Sequence, residues 1–225
     1  MKSIPDDITS FAVSKQVSIL LLAVCVLVFS WVWPLAFYAN SIFTAHMIQH
    51  LLTMNVAALL ISLAIRPNGR LSVSLSAITT FQMVALWLWH TPAAFIASHH
   101  HLLLGTLMKS SLFVAALFFW VAILDHRANT LWSRIFALLI TGKVFCLLGA
   151  VFVFTRRPLY PVHGDPVLWR LTEIEDQQLA GLVMVSACAL IYVAAAIALF
   201  AHWIFRVRKP SFNLFSGVAG GKPYA

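Results

Sequence analysis

His46 and His50 are four residues apart in an apolar stretch, and this spacing places both imidazoles on one face of a helix. Two imidazoles on adjacent turns can bind one metal ion. Met47 follows His46 directly, Met54 lies one turn beyond His50, and His90 ends the next apolar segment. Imidazole binds zinc, copper and iron, whereas thioether sulfur favours Cu(I). The sequence therefore predicts a metal site or a proton-transfer site here, although the same spacing also occurs in helices with neither function.

A second group of polar residues begins with Asp176 and Gln177, at the start of the last apolar segment. An aspartate in this position can cap the helix by accepting backbone N–H bonds. It can also orient an imidazole that binds a metal. Gln177, Gly181 and Met184 share one helix face, so the segment can contribute both close packing and a thioether. The sequence is compatible with both roles of Asp176.

Lys109 and Lys143 lie within apolar segments, where a positive charge is costly. The seven acidic residues all lie outside the middle of these segments, so neither lysine has an evident carboxylate partner. Each lysine is therefore neutral, or faces a polar interior, or binds an anion.

The composition defines the kind of protein that must position these residues. Hydrophobic residues make up 61% of the 225-residue chain, charged residues make up 10%, and the mean hydropathy is +0.91. A soluble domain carries roughly 25% charged residues. The apolar segments are long, unlike the short alternating strands of a barrel. We therefore predict an all-α, polytopic transmembrane helix bundle, in which the net charge of +8 reflects topology and not a nucleic-acid partner.

Six segments reach the length of about 20 residues that a helix needs to cross a bilayer. The predicted spans cover residues 16–37, 42–65, 71–89, 102–124, 131–154 and 178–204. The sequence contains no evident repeat or second domain, so residues 1–225 are expected to form a single integral membrane domain.

The basic residues are distributed unevenly over the two sides of this predicted bundle. Ten lysines and arginines lie on the side of the termini, against three on the opposite side. The positive-inside rule therefore predicts that both termini are cytoplasmic. His46, His50, His90 and the triplet His99–His101 then lie near the outer face.

Four segments resemble, in the same order, the signature motifs of the CtaG-like cytochrome c oxidase assembly factors of the caa type. These segments are His46–Leu52 (HMIQHLL), Trp89–Pro92 (WHTP), Arg157–Tyr160 (RPLY) and Asp176–Met184 (DQQLAGLVM). The similarity extends from the second predicted helix to the sixth, which is most of the chain.

This resemblance implies a multi-pass protein of the bacterial plasma membrane that is needed to assemble a haem–copper oxidase. The expected role is to carry or insert copper, as Cu(I), for the Cu(B) centre from the outer face. The expected partners are the membrane, the oxidase subunits and a periplasmic copper donor. No catalytic turnover is expected.

The candidate ligands that follow from the resemblance are His46, His50 and His90. Asp176 and Gln177 are further signature residues. Met54 is a candidate ligand, and Met47 and Met184 are accompanying residues.

The sequence departs from the family pattern in the fourth predicted helix. Many relatives carry a histidine where Lys109 aligns, and Val121-Ala122 stands where Trp-Pro often follows. His101, two turns before Lys109, is the candidate substitute ligand.

Three alternatives accompany the copper hypothesis. A metal-free scaffold would bind oxidase subunits through its helices, and its histidines would be structural. An intramembrane zinc hydrolase would need three firm ligands, an open position and a base such as Asp176. A b-type haem protein would use two histidines on facing helices, such as His50 and His90.

Overall fold

A computed structural model describes residues 6–65, 73–126, 129–160 and 171–207, with the side chains given from residue 13 onwards. Helices make up 87% of these described residues, and no strand occurs among them. The prediction of an all-helical protein is therefore confirmed.

The helices follow one another with short connections. They are α1 (Asp6–Trp31), α2 (Leu35–Ala39), α3 (Phe43–Leu51), α4 (Ala58–Ile65), α5 (Leu75–Trp89), α6 (Pro92–His100), α7 (Leu102–Leu124), α8 (Leu131–Phe154) and α9 (Glu173–Val207). A π-helical segment, Leu52–Ala57, joins α3 to α4, so these three elements form one continuous apolar rod.

Five of the six predicted spans coincide with helices that are long and apolar enough to cross a membrane. These candidate spans are Val13–Ala39, Phe43–Ile65, Leu102–Leu124, Leu131–Phe154 and Glu173–Val207. The third predicted span corresponds to α5, which has only 15 residues and a length of about 22 Å. Ser74 caps α5 by accepting a bond from the Ala77 N–H, which fixes its first residue. Five candidate spans are thus established, whereas a sixth span and cytoplasmic termini stay predictions.

The most extensive helix contact among the described residues is between α8 and α9, and it depends on two glycines. A Cβ atom placed on Gly181 would lie 2.6 Å from the Gly149 carbonyl oxygen, and one placed on Gly149 would lie 3.0 Å from the Gly181 carbonyl oxygen. Backbone atoms cannot move aside as a flexible side chain can. Small residues therefore set the distance between these helices, as is common inside membranes.

The bundle has an aromatic centre and an apolar outer surface. Trp120 on α7 stacks on Tyr192 of α9 at a centroid distance of 5.8 Å, and both side chains are almost fully buried. Large apolar residues such as Leu21, Phe136 and Leu190 are exposed on the outside. Exposed apolar side chains around a buried core fit a lipid environment.

His46, His90 and the Asp176–Gln177 pair meet at one end of the bundle, which we call the histidine end. The first turn of α3, helix α6, the segment 155–160 and the first turn of α9 all lie there. The structure thus brings together residues that are more than 130 positions apart in the sequence.

Candidate metal-binding site

A cavity of about 590 Å³ opens at the histidine end, and we call it the outer cavity. Its walls come mainly from α6 and from the first two turns of α7. The lining includes His46, His99, His100, Asn40 and Lys109, together with Ser98, Thr106 and several apolar residues. The outer cavity is therefore polar and carries a positive charge.

His46 and His50 lie between the outer cavity and the interior of the bundle. Both are buried, and their Nε2 atoms are 2.8 Å apart, which is a hydrogen-bond distance. With metal–nitrogen bonds of about 2.0–2.1 Å, tetrahedral coordination sets two nitrogens about 3.3 Å apart. To bind one ion through both rings, the two Nε2 atoms would therefore have to move apart by only about half an ångström.

Beyond this pair, two imidazoles and three thioethers surround a second, much smaller cavity, and we call this group the inner cluster. Its members are His50, His90, Met47, Met54 and Met184. All five side chains are at most 6% exposed. The cavity volume is about 10 Å³, which is close to the space that one water-sized sphere occupies.

Three separate helical elements and a helix end supply the inner cluster. Met47 and His50 are three residues apart on α3, and Met54 follows one turn later in the π-helical segment. The Met54 carbonyl accepts a hydrogen bond from the Trp120 indole at 3.0 Å, which anchors the π-helical segment to α7. π-helical turns inside α-helices are frequent at functional sites. His90 caps the carboxyl end of α5 and lines the same small cavity as Met47, His50 and Met54.

His90 has the hydrogen bonding that is typical of a metal ligand. Its Nδ1–H donates to the Leu86 carbonyl at 2.6 Å, so in the neutral ring the lone pair is on Nε2. That Nε2 atom is buried and has no hydrogen-bond partner in the described part of the chain. Burial lowers the pKa of His90 to about 4, against a smaller upward effect of the bond to Leu86. The ring is therefore neutral at pH 7, which is the form that binds metals.

Asp176 holds the helix that carries His46 and His50. Its carboxylate accepts hydrogen bonds from the backbone N–H groups of Phe43 at 2.7 Å and Thr44 at 3.0 Å. The Thr44 hydroxyl in turn donates to the Asp176 carbonyl. Of the two roles considered for Asp176, the structure supports capping, but the capped helix is α3 and not its own helix α9. Its carboxylate thus binds backbone groups and not an imidazole.

Gln177 and Tyr160 hold the other side of the site. The Gln177 side chain accepts from the Leu159 N–H at 2.7 Å and donates to the Phe152 carbonyl. This fixes the segment that ends in Tyr160, whose hydroxyl donates to the His90 carbonyl. Burial raises the pKa of Tyr160, so its hydroxyl keeps the proton that it donates. Tyr160 and its contact with His90 were not among the sequence-based candidates, although the RPLY motif contains it.

Two positions near the mouth differ from the sequence-based expectation. His101 is exposed at the amino end of α7 and does not line either cavity. His99 lies against His46 instead, with a centroid distance of 5.3 Å. No separate helix was predicted between residues 92 and 100. That helix, α6, ends in His99 and His100 and turns His99 towards the outer cavity.

Lys109 lies in the wall of the outer cavity, while Lys143 is exposed on the surface of α8. Lys109 therefore faces a polar interior, which was one of the possibilities for it. His99 lies close to this lysine, and burial lowers the pKa of His99, with the positive charge of Lys109 acting in the same direction.

No group of three or more His, Cys, Asp or Glu side chains is placed to hold a metal ion within the described residues. The inner cluster contains only two such residues, and its other three members are thioethers. The Asn55 side chain also lines the inner cavity, and its amide oxygen has no hydrogen-bond partner among the described residues. Such a set suits a soft ion of low coordination number and does not suit the closed four-ligand site of structural zinc.

The fold and the site together define a multi-pass helical membrane protein with a buried histidine–methionine cluster inside the bundle. A family model of cytochrome c oxidase caa3 assembly factors (Caa3_CtaG) matches residues 69–206, which is more than half of the chain. The chain therefore belongs to this family, as its motifs predicted. The matched range includes His90, Asp176 and Met184 but begins after His46 and His50. Comparisons with curated proteins and with solved structures gave no match.

Proposed function

We propose that this assembly factor carries copper, as Cu(I), from the outer face of the bacterial plasma membrane to the Cu(B) centre of the oxidase. The observation that supports this proposal is the convergence of two imidazoles and three thioethers on one small cavity inside the bundle. Thioether sulfur and neutral imidazole are ligands that select Cu(I) over harder divalent ions.

The order of the side chains along the histidine end supports a route for the ion. His99 lies against His46, His46 lies against His50, and His50 lies against His90, with centroid distances of 5.3, 4.4 and 5.8 Å. An ion that enters the outer cavity can therefore move from ring to ring into the inner cluster. Weak two- or three-coordinate binding at each step allows the ion to be passed on.

The copper is cargo in this proposal, so the protein carries out no catalytic turnover. Its partners are oxidase subunits, which receive the ion, and a periplasmic copper donor, which supplies it. His46, His50, His90 and Met54 bind the ion. Asp176, Gln177 and Tyr160 position these ligands through the backbone of α3 and of His90.

The proposal is tested by copper analysis of the detergent-purified protein after loading under reducing conditions. The wild-type protein is expected to retain about one copper per chain. The His46→Ala/His50→Ala variant should retain none. His202→Ala is the matched control, because His202 is exposed near the far end of α9, and it should load like the wild type. Equal copper in the double variant and the wild type would contradict the proposal.

A metal-free assembly scaffold is the second candidate function. It is favoured by the lack, within the described residues, of three His, Cys, Asp or Glu side chains placed around one point. Under this alternative the double variant would still support assembly of an active oxidase in cells. Under the copper proposal it would yield oxidase with haem but without Cu(B).

The remaining alternatives find less support. A zinc hydrolase would need a free base, but the Asp176 carboxylate already accepts two backbone hydrogen bonds. A haem ligated by His50 and His90 would need far more room than the inner cavity of about 10 Å³ provides. An absorption spectrum without a Soret band would confirm the latter exclusion.

A further inference from the structure

Lys109 raises an electrostatic problem for any cation that enters the outer cavity. Its side chain is half-buried in the cavity wall, and no carboxylate lines this cavity among the described residues. The other polar side chains there are His46, His99, His100, Asn40, Ser98 and Thr106. A bare Cu(I) ion would therefore approach its first ligand, His46, against an uncompensated positive charge in a partly desolvated site.

The same lining is well suited to bind an anion. Lys109 provides an ammonium group, whereas the neutral His99 ring donates its Nδ1–H to the Phe95 carbonyl, carries a lone pair on Nε2 and adds no donor for an anion. Asn40 and His100 add N–H donors to the wall. Hydrogen bonds to charged groups are stronger than those between neutral groups, so an anion with oxygen acceptors, such as a carboxylate, gains from this arrangement.

We propose that the outer cavity is a binding site for a small carboxylate anion, which pairs with Lys109. The cavity volume of about 590 Å³ accepts a molecule the size of a dicarboxylate, and Phe95 and Met108 provide apolar contact for its carbon chain. The anion neutralises Lys109 and so lowers the barrier to copper entry at His46. Anion binding stands on the cavity alone, whereas its effect on copper entry rests on the proposed function.

Anion binding is measured first, without metal, by calorimetric titration of succinate into the detergent-purified protein. Saturable binding of one succinate per chain is expected, and the uncharged analogue succinamide should not bind. Lys109→Met should weaken succinate binding at least about tenfold, because it removes a charged hydrogen-bond donor. Lys109→Arg should retain most of the affinity. Lys143→Met is the matched control, because it removes an exposed lysine from another helix, and it should bind like the wild type.

Absence of succinate binding to the wild type would overturn the proposal, and so would equal binding by Lys109→Met. Binding of succinamide with the same affinity would also overturn it, because the negative charge would then play no part.

The coupling to copper is measured as the rate of Cu(I) uptake with and without saturating succinate. Succinate should accelerate uptake severalfold in the wild type and have no effect in Lys109→Met. A protein that binds succinate but takes up no copper would refute the proposed function and leave the anion site intact. A protein that takes up copper at a rate independent of succinate would refute the coupling alone.

Discussion

The outer cavity and the inner cluster lie on the two sides of the His46–His50 pair, and they differ in volume and in chemistry. The outer cavity holds about 590 Å³, and its polar side chains carry nitrogen and oxygen. The inner cluster encloses about 10 Å³, and three of its five donor side chains carry sulfur. The outer cavity can exchange its contents with water, whereas the inner cluster has room for about one ion.

The two regions therefore suit two different tasks: the outer cavity suits the entry of ions, and the inner cluster suits the discrimination between metal ions. Water and anions can screen charge in the outer cavity, so it can receive ions of several kinds. The inner cluster offers thioethers and neutral imidazoles in a buried setting, where a hard divalent ion would lose its hydration shell without adequate compensation. Selectivity for Cu(I) should therefore reside in the inner cluster.

The largest expected effect comes from removing both imidazoles of the inner cluster. His50→Ala/His90→Ala should lower Cu(I) affinity about 100-fold or more, because even residues that only support metal ligands contribute 10–100-fold. Competition with a coloured Cu(I) chelator measures this affinity. Succinate binding in the outer cavity should be unchanged in the same variant. An unchanged Cu(I) affinity would place the binding site elsewhere.

Removing one thioether should change the selectivity for Cu(I) over Zn(II) while leaving the stability of the fold nearly unchanged. Met54→Leu conserves volume, so it should cost little stability, while weakening Cu(I) binding about tenfold and Zn(II) binding hardly at all. The ratio of the two affinities, from parallel chelator competitions, gives the result. Met83→Leu on α5, which lines neither cavity, is the matched control. An equal loss for both metals would show that Met54 acts only through packing.

A smaller effect is expected from the carboxylate that caps α3. Asp176→Ala removes two backbone hydrogen bonds at the amino end of α3 and should destabilise that end by about 1–2 kcal/mol. Hydrogen exchange should then speed up in the first turn of α3 but not in α7. Glu175→Gln is the matched control, because the adjacent Glu175 carboxylate accepts hydrogen bonds from Thr172 and not from α3 among the described residues. It should leave α3 unchanged. Unaltered exchange in Asp176→Ala would show that α3 does not depend on this cap.

The smallest effect should come from the support of His90. Tyr160→Phe keeps the aromatic ring, which packs on Phe43 and Phe95, but removes the hydroxyl that donates to the His90 carbonyl. The loss of one neutral hydrogen bond is about 1 kcal/mol, so Cu(I) affinity should fall about fivefold. Tyr38→Phe, at a partly exposed position, should have no effect. A drop as large as that of His50→Ala/His90→Ala would mean that Tyr160 takes part in binding directly.

Much of the fold follows from the sequence because lipid limits the chain to long apolar helices. The predicted spans 102–124 and 131–154 coincide with α7 and α8, where apolar runs end at polar turns. The predicted span 71–89 is shorter in the structure, because α5 begins only at its Ser74 cap. Helix α6 was not foreseen, since nine residues that start with Pro92 carry too weak a periodic signal.

The candidate site was predictable in its residue types but not in its long-range contacts. The spacing of His46 and His50 along one helix gives their shared face directly. The bonds from Asp176 to α3 and from Tyr160 to His90 join residues 133 and 70 positions apart, and no local pattern specifies them. Whether His99 or His101 faces the outer cavity depends on the residue at which α6 ends. The sequence does not specify this end to within two residues.

The most direct test of the account is X-ray absorption spectroscopy at the copper edge on the Cu(I)-loaded wild-type protein. The account predicts both nitrogen and sulfur neighbours around copper, with the sulfur contribution reduced in Met54→Leu and unchanged in Met83→Leu. A copper environment made of nitrogen and oxygen alone would contradict the account, because the ion would then lie outside the inner cluster.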